Sequence, residues 1–241
     1  MWLKNSCEIL YIIILMSIIF VESGLAKKPP FIDPKITSGE KSTYKVIENG
    51  KTFLTSYTIF RQQSNDKDVY LISAPSYQMI LEASDLQPLS IKKTNNNGDL
   101  EFSIEYLREY GEDRVWFRYP GPKRNVKRKV PEDRYDIHTV LQFVRGFPFG
   151  QREAKFTLIT PEHPEGIGAY IKIVGSERVT TPAGDFDCYQ LEAGIRGWKG
   201  KIFKTKFFFW VEKEPPHRLI KNTDSDGERA VTLVDYEFGC Q

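Results

Sequence analysis

The chain has 241 residues, with 34 lysines and arginines against 32 aspartates and glutamates, a net charge of +2, and 13% aromatic residues. A near-balanced charge excludes the usual nucleic-acid binder, which concentrates basic residues on one face. The length lets one domain bury a sizeable core without covalent staples, and no repeat or long low-complexity tract divides it.

The first element is a targeting segment. Lys4 precedes an apolar run from Ile9 to Val21, closed by the small-residue site Gly24-Leu25-Ala26. This is the pattern of an export signal cleaved after Ala26. The run supplies about 13 residues where spanning a bilayer takes roughly 20, so cleavage and release into the periplasm are expected. The alternative is an uncleaved anchor tethering the chain to the inner membrane. Cys7 lies ahead of the run, so a lipidated mature N-terminus is not expected. Losing residues 1–26 removes Lys4, Glu8 and Glu22 and moves the net charge from +2 to +3.

Residues 27–38, with Pro29, Pro30 and Pro34, read as an extended lead-in. A single β-rich domain over 39–241 follows. Strands are expected at Thr43–Ile47 and Thr52–Phe60 around the hairpin signal Asn49-Gly50. Val69–Ser73, Tyr77–Leu81, Leu89–Thr94 and Leu100–Tyr106 come next, the last two joined by Asn95-Asn96-Asn97-Gly98-Asp99. Arg114–Tyr119 completes an antiparallel meander.

From Asp136 the period changes. Ile137, Val140, Leu141 and Val144 fall at i, i+3, i+4 and i+7, which predicts a helix capped by Asp136, stopped by Gly146 and gripping the sheet through that stripe. Phe143 is off the stripe, and so is His138, which lacks a second metal ligand nearby. Strands resume at Lys155–Thr160, Ala169–Val174, Arg178–Thr181, Phe186–Ala193, Phe203–Glu212, Arg218–Thr223 and Ala230–Phe238. The expected fold is therefore mainly β, a strongly curved antiparallel half-barrel wrapped around one main α-helix.

Candidate chemistry is sparse. Thr181 to Asp185 reads as a turn through Pro182 and Gly184, which leaves Asp185 and Asp187 solvated instead of paired for acid–base work. Asn222 to Gly227 matches the first half of a calcium loop but has Leu233 at the position that needs a bidentate glutamate, so a hairpin turn is expected. His163 and His217 have no companions at ligand spacing, and no nucleophile elbow or phosphate loop is present. A non-catalytic protein without cofactor or metal is expected. Cys188 and Cys240 survive processing, and in an exported chain an even pair reads either as one disulfide, worth roughly 3 to 4 kcal/mol, or as a buried and a terminal thiol.

Two features carry binding potential. In Phe207-Phe208-Phe209-Trp210, adjacent positions face opposite sides of the sheet, so this strand is either covered on both faces or presents one to a ligand or partner. Trp116, Phe207, Phe209 and Trp210 are the candidates to line an apolar pocket. The run Lys123-Arg124-Asn125-Val126-Lys127-Arg128-Lys129 reads as a basic loop, in which Lys123, Arg124, Lys127, Arg128 and Lys129 either approach an anionic membrane surface or stand solvated, with Glu132 and Asp133 neutralising part of the charge.

Three segments resemble a known family: Tyr135-Asp136-Ile137 through Phe143-Val144-Arg145-Gly146-Phe147-Pro148, Val174-Gly175-Ser176 through Pro182-Ala183-Gly184-Asp185-Phe186-Asp187-Cys188-Tyr189, and Phe209-Trp210-Val211. With the opening Gly39 to Val46 and Asn49-Gly50, they resemble the bacterial envelope family catalogued as domain of unknown function 3108. The resemblance implies a periplasmic fold similar to the lipoprotein carriers LolA and LolB and implies no established activity. The expected function is an envelope protein that binds a lipid, acyl chain or other apolar segment in a sheet–helix cavity. The alternative is a protein–protein interaction module in envelope assembly.

Overall fold

The computed structural model describes residues 28–120, 125–202 and 205–239. The export segment, Lys123, Arg124 and Cys240 lie outside them. The chain is mainly β. Its strands are β1 (Glu40–Glu48), β2 (Lys51–Ser64), β3 (Lys67–Ala74), β4 (Tyr77–Glu82), β5 (Pro88–Thr94), β6 (Leu100–Glu109), β7 (Glu112–Arg118), β8 (Val126–Lys129) and β9 (Arg134–Asp136). After the helical segment come β10 (Glu153–Ile159), β11 (Ile167–Thr181), β12 (Gly184–Ile195), β13 (Phe207–Glu212), β14 (Leu219–Asp224) and β15 (Arg229–Glu237).

Among the described residues, fifteen strands belong to one sheet, in the order β8 to β1, then β15 to β9. Every neighbour is a chain neighbour except β1 and β15, which pair antiparallel from Lys41 opposite Glu237 to Glu48 opposite Arg229. β9 and β10 run parallel, and the other paired strands among the described residues run antiparallel. The edge strands β8 and β9 do not pair, so the ladder stays open, yet the linker between them bonds to both halves. The Val130 N–H donates to the Asp113 carbonyl on β7, and the Asp133 carbonyl accepts from the Thr157 N–H on β10. A buried Arg134–Asp113 ion pair at 3.0 Å draws the same two edges together.

The hairpins follow from turn chemistry. Asn49 (φ 50°) and Gly50 (φ 73°) close β1–β2 in two residues, the positive-φ pair a tight hairpin requires. Pro182 and Ala183 link Thr181 to its register partner Gly184. Two expected strands, Ala169–Val174 and Arg178–Thr181, are one long β11. The reason is a bulge between Ile173 and Gly175, which breaks the apolar alternation without ending the strand. The stretch expected to begin a strand at Phe203 starts pairing at Phe207, after a short helix α2 (Gly197–Ile202) that has no periodic signature.

The expected main helix is shorter and less regular. A 3₁₀ turn over Ile137–Thr139 leads into one α-turn, α1 (Val140–Phe143), and a second 3₁₀ turn over Val144–Gly146. Asp136 caps it, its side chain accepting from the His138 N–H at 2.9 Å. Two local features weaken α-propagation. Ile137, Thr139, Val140 and Val144 are β-branched, and the Thr139 hydroxyl donates back to the Asp136 carbonyl at 2.9 Å.

The stripe also faces differently from expectation. Val144 is fully buried, but Ile137, Val140 and Leu141 are only half-buried, whereas Phe143 is fully buried. The cause is the lead-in, which enters the interior. The Phe31 ring centroid lies 4.7 Å from that of Tyr135, 4.9 Å from Phe143 and 5.3 Å from Phe156, edge-on or tilted, forming an aromatic centre that claims Phe143. The Ile32 N–H donates to the Gly146 carbonyl at 2.8 Å. Gly146 is required there for closeness as well as for helix termination, since a Cβ would meet the Ile32 carbonyl oxygen at 2.3 Å.

Candidate functional site

The sheet and the short helix leave a cavity between them. Its floor is one lateral row set by register: Phe209 on β13 lies opposite Asn222, Asn222 opposite Val231, Val231 opposite Val46, and Val46 opposite Phe53. Side chains at paired positions point to the same face, so five strands contribute one side chain each. Ile137 and Val140 form the roof of both lobes into which the space divides, and Leu141 roofs the larger one. The larger, about 500 Å³, is bounded by Val46, Phe53, Tyr57, Tyr77 and Met79. The smaller, about 180 Å³, is mostly apolar and is bounded by Phe143, Phe156, Ile171, Ala193, Phe207 and Phe209.

Polar groups gather in the larger lobe. Glu48, Lys93, His138 and Arg229 line it, and Arg229 also reaches the smaller one. His138 is held through Nδ1, 2.7 Å from the Asp136 carboxylate, whose other oxygen accepts from the Tyr106 hydroxyl at 2.5 Å. Burial, and then the Asp136 charge, push the Tyr106 hydroxyl well above its ordinary pKa, which keeps it a donor. Burial likewise raises Tyr57 and Tyr77, opposed by the Arg229 charge at Tyr57 and chiefly by Lys93 at Tyr77. Lys93 pairs with Glu101 at 2.8 Å, while Arg229 meets Glu48 only at 3.8 Å. Among the described residues, no three His, Cys, Asp or Glu side chains come together to hold a metal ion.

Of the four aromatics expected at a pocket, Phe207 and Phe209 line the smaller lobe. Trp116 and Trp210 do not. Val115 and Phe117 are the buried residues of β7, so Trp116 between them points to the opposite face, where the Arg118 guanidinium lies 3.6 Å from its ring. Trp210 alternates away from Phe209 and packs in a second cluster with Tyr44, Phe186, Cys188 and Ile220. Phe209 and Trp210, neighbours that point to opposite faces, are both buried, so both faces of β13 are covered.

The basic run is not a free loop where it is described. Lys127, Arg128 and Lys129 are exposed on edge strand β8, with Lys127 paired to Glu109 at 2.6 Å and Lys129 to Glu112 at 2.8 Å. Asp133, expected to neutralise the patch, is buried and accepts from the Thr157 hydroxyl instead. Among the described residues Cys188 is a free, fully buried thiol; Cys240, its partner in the disulfide alternative, lies outside them. Asp185 and Asp187 are exposed, with Asp185 bonded to Thr180 at 2.6 Å. Asn222 to Gly227 spans the β14–β15 turn, where Gly227 has φ 75°.

Sequence reading missed Arg229, Tyr57 and Tyr77 at the cavity. One signal was available for Arg229. It stands two residues before Val231 and four before Leu233, so an alternation that puts both valine and leucine inside puts Arg229 inside too.

No curated protein matches this chain. Among solved structures it is similar to a β-barrel-like protein of domain of unknown function DUF1849 from Brucella abortus, with TM-score 0.51 and 9% identity over 85% of this chain and 99% of that one. It is also similar to a Bacteroides fragilis protein described as exported, with a YmcC-like fold (TM-score 0.37, 13% identity, 87% and 99% covered). A third is a Parabacteroides distasonis protein described as a lipoprotein (TM-score 0.34, 14% identity, 88% and 100% covered). At these identities the first likeness speaks for the β-barrel-like fold alone. The family described as "Protein of unknown function (DUF3108)" matches residues 36–234, the span that holds the whole cavity, and this chain belongs to it.

Proposed function

We propose that this protein is exported to the periplasm and acts there as a non-catalytic carrier, holding an acyl chain or similar apolar segment in the cavity beneath the short helix. The observation behind the reading is the cavity itself. Its larger lobe falls inside the roughly 300 to 1,000 Å³ range of small-molecule sites, and its smaller lobe is walled by phenylalanine, isoleucine and alanine. The N-terminal apolar run supports export, and the implied analogy to LolA and LolB supports a carrier. The exposed Lys127, Arg128 and Lys129 on edge strand β8 support peripheral contact with anionic membrane.

Delipidated protein should take up a fluorescent fatty-acyl probe saturably. Ala193→Leu, which fills the smaller lobe, should weaken uptake while the fold survives. Replacing Lys127, Arg128 and Lys129 by glutamine should leave affinity in solution intact and reduce recruitment to anionic vesicles, most at low salt. Absence of saturable uptake of any acyl probe overturns the carrier. The alternative, an interaction module in envelope assembly, draws support from Phe53, which lines the cavity, and Leu54 beside it on β2, 47% and 66% exposed. Native mass spectrometry of protein purified from its own compartment separates the two, with co-purified lipid for the carrier and a stoichiometric polypeptide for the module.

A further inference from the structure

Several buried guanidinium nitrogens lack a hydrogen-bond partner among the described residues: the Nε atoms of Arg114, Arg118, Arg134 and Arg229, and one terminal nitrogen of Arg218. Four of these arginines nevertheless hold a carboxylate tightly, at 2.9 Å for Arg114, 2.7 Å for Arg118, 3.0 Å for Arg134 and 3.0 Å for Arg218. Arg229 is the exception. Its ion pair with Glu48 spans 3.8 Å, beyond hydrogen-bond distance, and its side chain faces both lobes of the cavity. The Asp224 carboxylate nearby is engaged with the Arg229 backbone N–H, at 3.3 Å.

A guanidinium offers planar, forked donors that match a carboxylate or phosphate, and the Arg229 side chain keeps 40% of its surface accessible where it lines the two lobes. The other cation of the larger lobe, Lys93, is already paired with Glu101. A polar neighbour is in place as well, since His138 lines the same lobe with its ring orientation held by Asp136.

We propose that the cavity ligand is an amphiphile carrying one anionic head, a carboxylate or a phosphate monoester on an alkyl chain, and that Arg229 anchors that head while the chain enters the apolar lobe and extends from it along the larger one. This deepens the carrier reading and rests on it. Glu48 is then a competitor that the ligand head displaces from Arg229.

The test is calorimetry on the delipidated mature protein with three probes of equal chain length: palmitate, hexadecyl phosphate and hexadecanol. The anions should bind at least about tenfold more tightly than the alcohol, the scale of a charge-assisted pair at a partly sheltered site. Arg229→Gln should erase that gap and leave hexadecanol affinity unchanged, and Glu48→Gln should widen it. A preference for palmitate points to free fatty acid, and a preference for hexadecyl phosphate to a lipid phosphate. The inference is overturned if hexadecanol binds wild type as tightly as the anions, or if Arg229→Gln keeps the gap. Should Arg229→Gln fail to fold, an unchanged gap in Glu48→Gln overturns it instead. Failure of all three probes to bind wild type overturns the carrier reading itself.

Discussion

Glu40 and Arg145, 105 positions apart, meet in a buried bidentate pair at 2.7 and 3.0 Å. Arg145 comes from the 3₁₀ turn after α1, and Glu40 opens β1, so the pair ties the helical segment to the strand where the two halves of the sheet join. The guanidinium also donates to the Pro216 carbonyl at 3.2 Å, which completes its shell. Removing one partner leaves the other buried and unpaired, and Glu40→Gln or Arg145→Met should each cost about 3 to 5 kcal/mol. Urea denaturation checks this, and a double variant that recovers most of the loss identifies the pair, not either residue, as the source.

The aromatic centre makes a contrast within one turn of helix. Phe143→Ala should cost about 3 to 5 kcal/mol, because the ring is fully buried against Phe31, Tyr135 and Phe156. Leu141, half-buried at the cavity roof, should lose less than about 2 kcal/mol on truncation, below the range of fully buried leucines. Equal losses in thermal or chemical unfolding would contradict the placement of the two side chains.

Asp33 should make the lead-in acid-sensitive. Burial pushes its carboxyl pKa up, but bonds from the Tyr70 hydroxyl and from Lys35, with the Arg61 charge, outweigh burial and hold it below its ordinary value. A depressed folded-state pKa means stability that is fully present above the unfolded value near 4 and is lost as pH falls through the folded one. Asp33→Asn should therefore be less stable than wild type at neutral pH and lose less between about pH 4 and pH 2. Parallel unfolding slopes across that window would show that Asp33 carries none of the linkage.

Cys188 should be chemically inert in the folded protein. Burial, and then the charges of Glu212, Asp187 and Glu177, push its thiol up to about 12, so little thiolate exists near neutrality. Iodoacetamide at pH 8 should leave the Cys188 peptide unmodified in native protein and modify it fully in denaturant. Labelling of that peptide at equal rates in both would place Cys188 outside the core.

What the sequence determined by itself is what short-range chemistry decides. Asn49-Gly50, the Asn95–Asp99 loop and the Pro182–Gly184 segment turn the chain because their backbone preferences act over a few residues, and alternation of period two locates most strands. Asp136 caps a helical turn for the same reason. Which face of an element is covered is another matter, because it depends on register and on segments remote in the chain. The lead-in contributes Phe31 to the centre, and that decides that Phe143 is buried and Leu141 is not. A bulge at Ile173 and Gly175 fuses two apparent strands, and the β1–β15 register, which joins the two ends of the domain, brings Val46, Val231 and Arg229 to one cavity wall. Nothing in the sequence near Glu40 or Arg145 marks the two as partners. Only burial of both at one junction makes them partners, since a charge leaves water at tolerable cost only when its counter-charge arrives with it.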